Sequence, residues 1–132
     1  MQWVFLIGDQ PFSLNSFSKM KFENSKKILK NAEQLEICYN DNDYAIFYKE
    51  DNADNMRNNF ETSEFEKYLQ KLPFDNPRWI MLKYSNIKTL KKIICEKYFP
   101  KDIIIDCDGV NLGLEEVFDI SRIIETEPLY KL

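Results

Sequence analysis

Apolar residues along the chain fall into short blocks separated by polar punctuation. Trp3 to Ile7 is a continuous apolar run, read as a buried strand that ends at Gly8-Asp-Gln-Pro11. Residues 12–34 show no clear period; Ser25 to Glu33 fits one short helix with Ile28, Leu29 and Ala32 on one side. Leu35 to Tyr39 starts as an apolar/polar alternation, and Tyr44 to Tyr48 is rich in strand formers. Asn40-Asp-Asn-Asp43 between them has the side chains of a tight turn, so the three segments form a β-hairpin. Asp51 to Asn59 is polar and reads as a long loop. A helix then opens at Thr62 or Ser63, with Ser63 and Glu66 spaced as a capping box. Phe65, Leu69 and Leu72 lie on one face, and Pro73 stops it.

The strongest unit lies between Arg78 and Gly109. Trp79 to Leu82 and Ile103 to Ile105 are uninterrupted apolar segments. Between them, Ser85 or Asn86 caps a helix with Ile87, Leu90, Ile94 and Tyr98 at helical spacing, ended by Pro100. Strand, helix and strand with short joints is the pattern of a parallel βαβ unit. The tail repeats at helical spacing through Leu114, Val117, Phe118, Ser121 and Ile124, although Ile120, Ile123 and Ile124 also suit a final strand. The expected fold class is α/β or α+β: a single domain over 1–132 with a mixed sheet, a β-hairpin and a βαβ unit in the C-terminal half.

Composition narrows the chemistry. The 132 residues contain no His and only 3 Gly. No histidine-based triad, imidazole acid/base or His-ligated zinc is available. Gly8, Gly109 and Gly113 form no phosphate-cradling loop. With 44% hydrophobic and 14% aromatic residues the chain is apolar enough to fold. A chain of this length buries about two-thirds of its unfolded surface. No uncharged apolar run approaches the roughly 18 residues needed to cross a bilayer. The apolar start lacks a basic leader and a cleavage site. Cys38, Cys95 and Cys107 are odd in number and lack CxxC spacing, which points to reduced, mostly buried thiols in a cytoplasm.

Charge is segregated. Residues 31–75 hold four basic against eleven acidic groups, net −7; 76–101 hold seven against one, net +6; 102–132 hold two against eight, net −6. The overall −4 hides these blocks. An acidic face suits a basic partner, because opposite fields speed encounter and select partners. The candidate partner-binding residues are Tyr39, Asp41, Asp43, Tyr44, Glu50, Asp51, Asp54, Asp106, Asp108, Glu115 and Glu116. The tyrosines serve as anchors beside carboxylates. Lys88, Lys91, Lys92 and Lys97 could touch phosphates. One arginine in that block and no aromatic interleaving favour a solvated face over nucleic-acid binding.

Asp102-Ile-Ile-Ile-Asp106-Cys-Asp108-Gly-Val resembles the first motif of the haloacid dehalogenase-like phosphatases, an apolar strand ending in Asp-x-Asp-Gly. In that family the two carboxylates serve as phosphoryl nucleophile and as general acid beside magnesium. The likeness covers about nine residues only 24 residues from the C-terminus. The family begins a large doubly wound domain with this motif, so Asp106/Asp108 phosphate chemistry is a minor alternative.

Small size, acidity, absence of His, few Gly and a Lys/Asn/Ile-rich composition make the whole chain resemble the immunity proteins of bacterial polymorphic and contact-dependent growth-inhibition toxins. The resemblance is one of overall character. It implies a non-catalytic, cytoplasmic protein without metal or cofactor. Such a protein binds a cognate toxin domain, often a basic nuclease, and occludes its active site. No membrane or nucleic-acid partner is expected. Another protein-binding adaptor is the alternative.

Overall fold

The computed structural model describes residues 2–107, 112–114, 123–124 and 129–131. Their elements are β1 (Gln2–Asp9), α1 (Leu14–Ser18), β2 (Lys27–Lys30), β3 (Gln34–Cys38), β4 (Tyr44–Tyr48), α2 (Ala53–Arg57), α3 (Thr62–Gln70), β5 (Pro77–Tyr84), α4 (Ile87–Ile94), β6 (Ile104–Asp106), β7 (Ile123–Ile124) and β8 (Leu129–Lys131). One sheet runs through all these strands in the order β2-β3-β4-β5-β1-β6-β8-β7, making this an α+β fold.

Every ladder among the described strands is antiparallel. The expected mixed sheet is corrected in this respect. β5 and β6 do run in the same direction on either side of α4. They do not pair, because β1 lies between them, with Leu6 opposite Ile80 on one side and Ile105 on the other. The strand–helix–strand unit is therefore split. A central antiparallel strand buried on both faces is as continuously apolar as a parallel one, so periodicity could not reveal the insertion.

Two clusters fill the two sides of the sheet. On the first side α1 and α4 pack Leu14, Phe17, Leu90 and Ile93 onto Leu6, Phe47, Leu82 and Ile105. On the second, α2, α3 and the turn after α3 pack Met56, Phe65 and Leu72 onto Ile7, Trp79 and Ile104. Gly8 makes room on the first side: a Cβ there would stand 2.5 Å from Cγ of the Phe12 ring.

Several local expectations change. Ser25–Glu33 holds no helix; Lys27–Lys30 joins β3 as the exposed edge strand, because pairing completes backbone hydrogen bonds that two helical turns would leave open. The 51–59 loop contains α2, capped by Asn52, whose side chain accepts from the Asn55 amide. The Ser63–Glu66 capping box is not formed: Glu61 is the N-cap of α3, and Glu66 is drawn to Arg57. α4 does open at Asn86, which accepts from the Thr89 amide at 3.0 Å. It ends at Ile94, so Tyr98 lies beyond it and is exposed. Cys95 is also exposed rather than buried. Ile123–Ile124 is strand, in line with the strand option for the tail; residues 115–122 lie outside the described residues. Among the described residues no helix is long and apolar enough to cross a membrane.

Candidate functional site

β4 alternates strictly. Ala45 and Phe47 are fully buried on the α1/α4 side, so Tyr44, Ile46 and Tyr48 face the other way and are half-buried. Register extends this second face across four strands: Ile46 stands opposite Glu36 on β3 and Lys83 on β5, and Lys83 stands opposite Trp3 on β1. Met81 stands opposite Phe5 in the neighbouring row. Trp3, Tyr44, Ile46, Tyr48 and Met81 belong to neither buried cluster, and Trp3 is 40% exposed. The Lys83 ammonium lies 5.4 Å from the centre of the Tyr48 ring, which keeps its charge over an aromatic face. The result is an aromatic and aliphatic patch on a sheet whose opposite side carries the lysine-rich α4.

Carboxylates flank the patch at both ends of the hairpin. At one end Glu33, Glu50 and Asp51 line a hollow of about 480 Å³ together with Gln34, Tyr48, Asn55 and one cation, Lys49. Asp54 is exposed nearby in the first turn of α2, where a helix N-terminus favours an acid. At the other end are exposed Asp41 and half-buried Asp43. A five-residue strand separates the ends by about 17 Å, so the acids are two banks and not one cluster.

Several expected partner residues have internal duties. Glu50 accepts from the Leu14 amide at 2.8 Å and so holds the start of α1. Asp43 accepts from Asn86 at 2.7 Å and Asn40 at 2.6 Å, with Lys92 at 3.8 Å. Those hydrogen bonds, Asn86 first, hold its carboxyl below the usual range. The turn thereby neutralises part of the basic helix. Tyr39 is only 4% exposed and is no surface anchor. It shares strand parity with Leu35 and Ile37, and its hydroxyl donates to Glu96 at 2.9 Å. Burial, then that bond, raises its pKa. The sequence reading missed Trp3, Ile46, Tyr48, Met81 and Glu33. No sequence signal marked the first four, because core and open-face positions on β1, β4 and β5 are alike apolar.

Asp106 is 9% exposed and accepts from the Tyr68 hydroxyl at 2.6 Å. The sheet around it is antiparallel, unlike the parallel doubly wound sheet implied by the phosphatase-like motif. Asp108, Glu115 and Glu116 lie outside the described residues. Among the described residues no three His, Cys, Asp or Glu side chains gather into a group able to hold a metal ion. Comparison with protein-family models, with curated proteins and with solved structures finds no match for this chain.

Proposed function

We propose that this protein is a non-catalytic immunity protein that neutralises a cognate bacterial toxin domain by covering its active site with the Trp3/Ile46/Tyr48 face. The observation that carries this reading is the patch itself: three aromatic and two aliphatic side chains outside both cores, banked at each end by carboxylates. The patch measures about 10 Å across the three strands β4, β5 and β1 and about 14 Å along them. It is smaller than a standard interface of roughly 800 Å² per partner, and serves as the apolar centre of one with the acids as its polar rim. Aromatic anchors supply binding energy, and the carboxylates steer a basic partner and mimic phosphates in a nuclease cleft. Most of α4 lies on the opposite side of the sheet; Lys92 reaches Asp43 at 3.8 Å and offsets part of the charge of that bank.

The reading expects a toxin-like reading frame immediately upstream, and the test is co-expression with the C-terminal domain of that neighbour. Protection of the cell and copurification support the reading. Ile46→Asp removes both while the isolated variant stays folded, because Ile46 is outside both cores. A toxin that neither binds nor is neutralised contradicts it.

A further inference from the structure

β2 ends the sheet. It has β3 on one side only, and all four of its residues are exposed, Ile28 at 44% and Leu29 at 47%. The Asn31 amide donates to the Gln34 carbonyl at 3.0 Å, in the same register as the β2–β3 ladder. Hydrogen-bonded pairs alternate along an antiparallel ladder, so Leu29 and Lys27 turn their backbone groups to β3. The amides and carbonyls of Ile28 and Lys30 therefore point off the sheet, with no strand beside them among the described residues. The Lys26 amide donates to the Cys38 carbonyl at 2.8 Å, so the open stretch begins at Lys27. Such an edge is a template for one more strand.

A second copy fits this edge in one register. A new antiparallel ladder uses the groups of Ile28 and Lys30, so even-numbered residues stand opposite even-numbered ones across it. That parity forbids Lys27 from standing opposite Lys30. A two-fold axis at Lys27 or Lys30 sets that lysine against itself, and an axis at Ile28 sets Lys26 against Lys30. Like charges directly opposite destabilise a sheet. An axis at Leu29 opposes no two lysines: Ile28 meets Lys30 of the other copy, Leu29 meets Leu29, and Lys27 meets Asn31. This register forms four backbone hydrogen bonds and brings Lys26 and Lys27 beside the other copy's exposed Glu33. We propose that the chain pairs with a second copy of itself through β2, about a two-fold axis at Leu29. The pairing is closed, so it stops at two copies. Leu29 stands opposite Glu36, and Glu36 opposite Ile46, so both open patches lie on the same side of one continuous sheet. The two Ile46 residues are about 24 Å apart, which is five strand spacings. None of this depends on what the patch binds.

Edge pairing buries less than a standard interface, so the dimer is weak and appears as concentration rises. Sedimentation velocity follows the whole chain from about 10 µM to about 1 mM. The expected result is a shift from the mass of one chain to that of two across this range. Leu29→Lys sets two charges against each other at the axis and weakens pairing at least about tenfold; the fold stays intact because Leu29 is exposed. Non-hydrogen-bonded partners stand about 4.5 Å apart at Cα, within disulfide reach. With the exposed thiol removed by Cys95→Ser, Leu29→Cys therefore cross-links two copies under mild oxidation and Lys27→Cys does not. A chain that stays monomeric throughout, whether its edge remains solvated or takes a strand of another protein, overturns the proposal. So does a dimer that Leu29→Lys leaves unchanged, or one that cross-links through Lys27→Cys and not through Leu29→Cys.

Discussion

The Tyr68 hydroxyl bridges α3 to β6 by donating to Asp106 at 2.6 Å, and it accepts from Trp79 of β5 at 3.2 Å. One side chain thus ties a helix to two strands that β1 separates. Tyr68→Phe removes a donor from a buried carboxylate and an acceptor from a buried indole. A hydrogen bond to a charged group contributes about 1.5–3 kcal/mol, so the variant unfolds at lower urea by an amount in that range. A change below about 0.5 kcal/mol contradicts the bridge.

Two other tyrosines should respond in opposite directions. Tyr39 bonds the buried Glu96, which also accepts from the Glu23 amide. Tyr39→Phe costs about 1.5–3 kcal/mol. The Tyr84 hydroxyl is buried with no hydrogen-bond partner among the described residues. Tyr84→Phe relieves that desolvation and is stabilising by about 1 kcal/mol. Equilibrium denaturation of the pair measures both signs.

Alkaline pH tests the same pair through linkage. Burial pushes Tyr84 up to about 12 and raises Tyr39, with the Glu96 bond adding to the rise. The unfolded chain ionises these tyrosines near pH 10 while the folded chain holds their protons. Their stabilisation is complete below about pH 10 and is lost as pH rises toward 12. The urea midpoint of the Tyr39→Phe/Tyr84→Phe variant falls less steeply over that window than that of the parent. Identical slopes contradict this.

Gly8→Ala places a methyl against the Phe12 ring at a spacing real Cβ atoms do not tolerate. Phe12 packs edge-to-face on Phe17 at 5.6 Å, so it has little freedom to yield. The variant loses about 1–3 kcal/mol, the cost of overpacking a core. Thermal melting reads the loss, and an unchanged midpoint contradicts it.

The hairpin was legible because Asn40 and Asp43 carry turn chemistry between two strand-forming runs; Asn40 accepts from the Asn42 and Asp43 amides. The span from Trp79 to Ile105 was legible as strand, helix and strand because its periods change at Asn86 and Pro100. The place of β1 was not, since pairing partners leave no trace in an apolar run. Tyr39 was assigned to the surface although its parity with Leu35 and Ile37 placed it inside. The open patch stayed hidden for the converse reason: Trp3 and Ile46 look like core residues until the helices are seen to cover only the far end of that sheet face.

The most direct measurement is hydroxyl-radical footprinting of the protein with and without the toxin domain that the proposed function expects as its partner. The account predicts protection of Trp3, Tyr44, Ile46, Tyr48 and Met81, with Tyr98 and the β2 residues Ile28 and Leu29 unchanged. Protection confined to Tyr98 or β2, with the Trp3–Tyr48 patch still fully reactive in the complex, would contradict it.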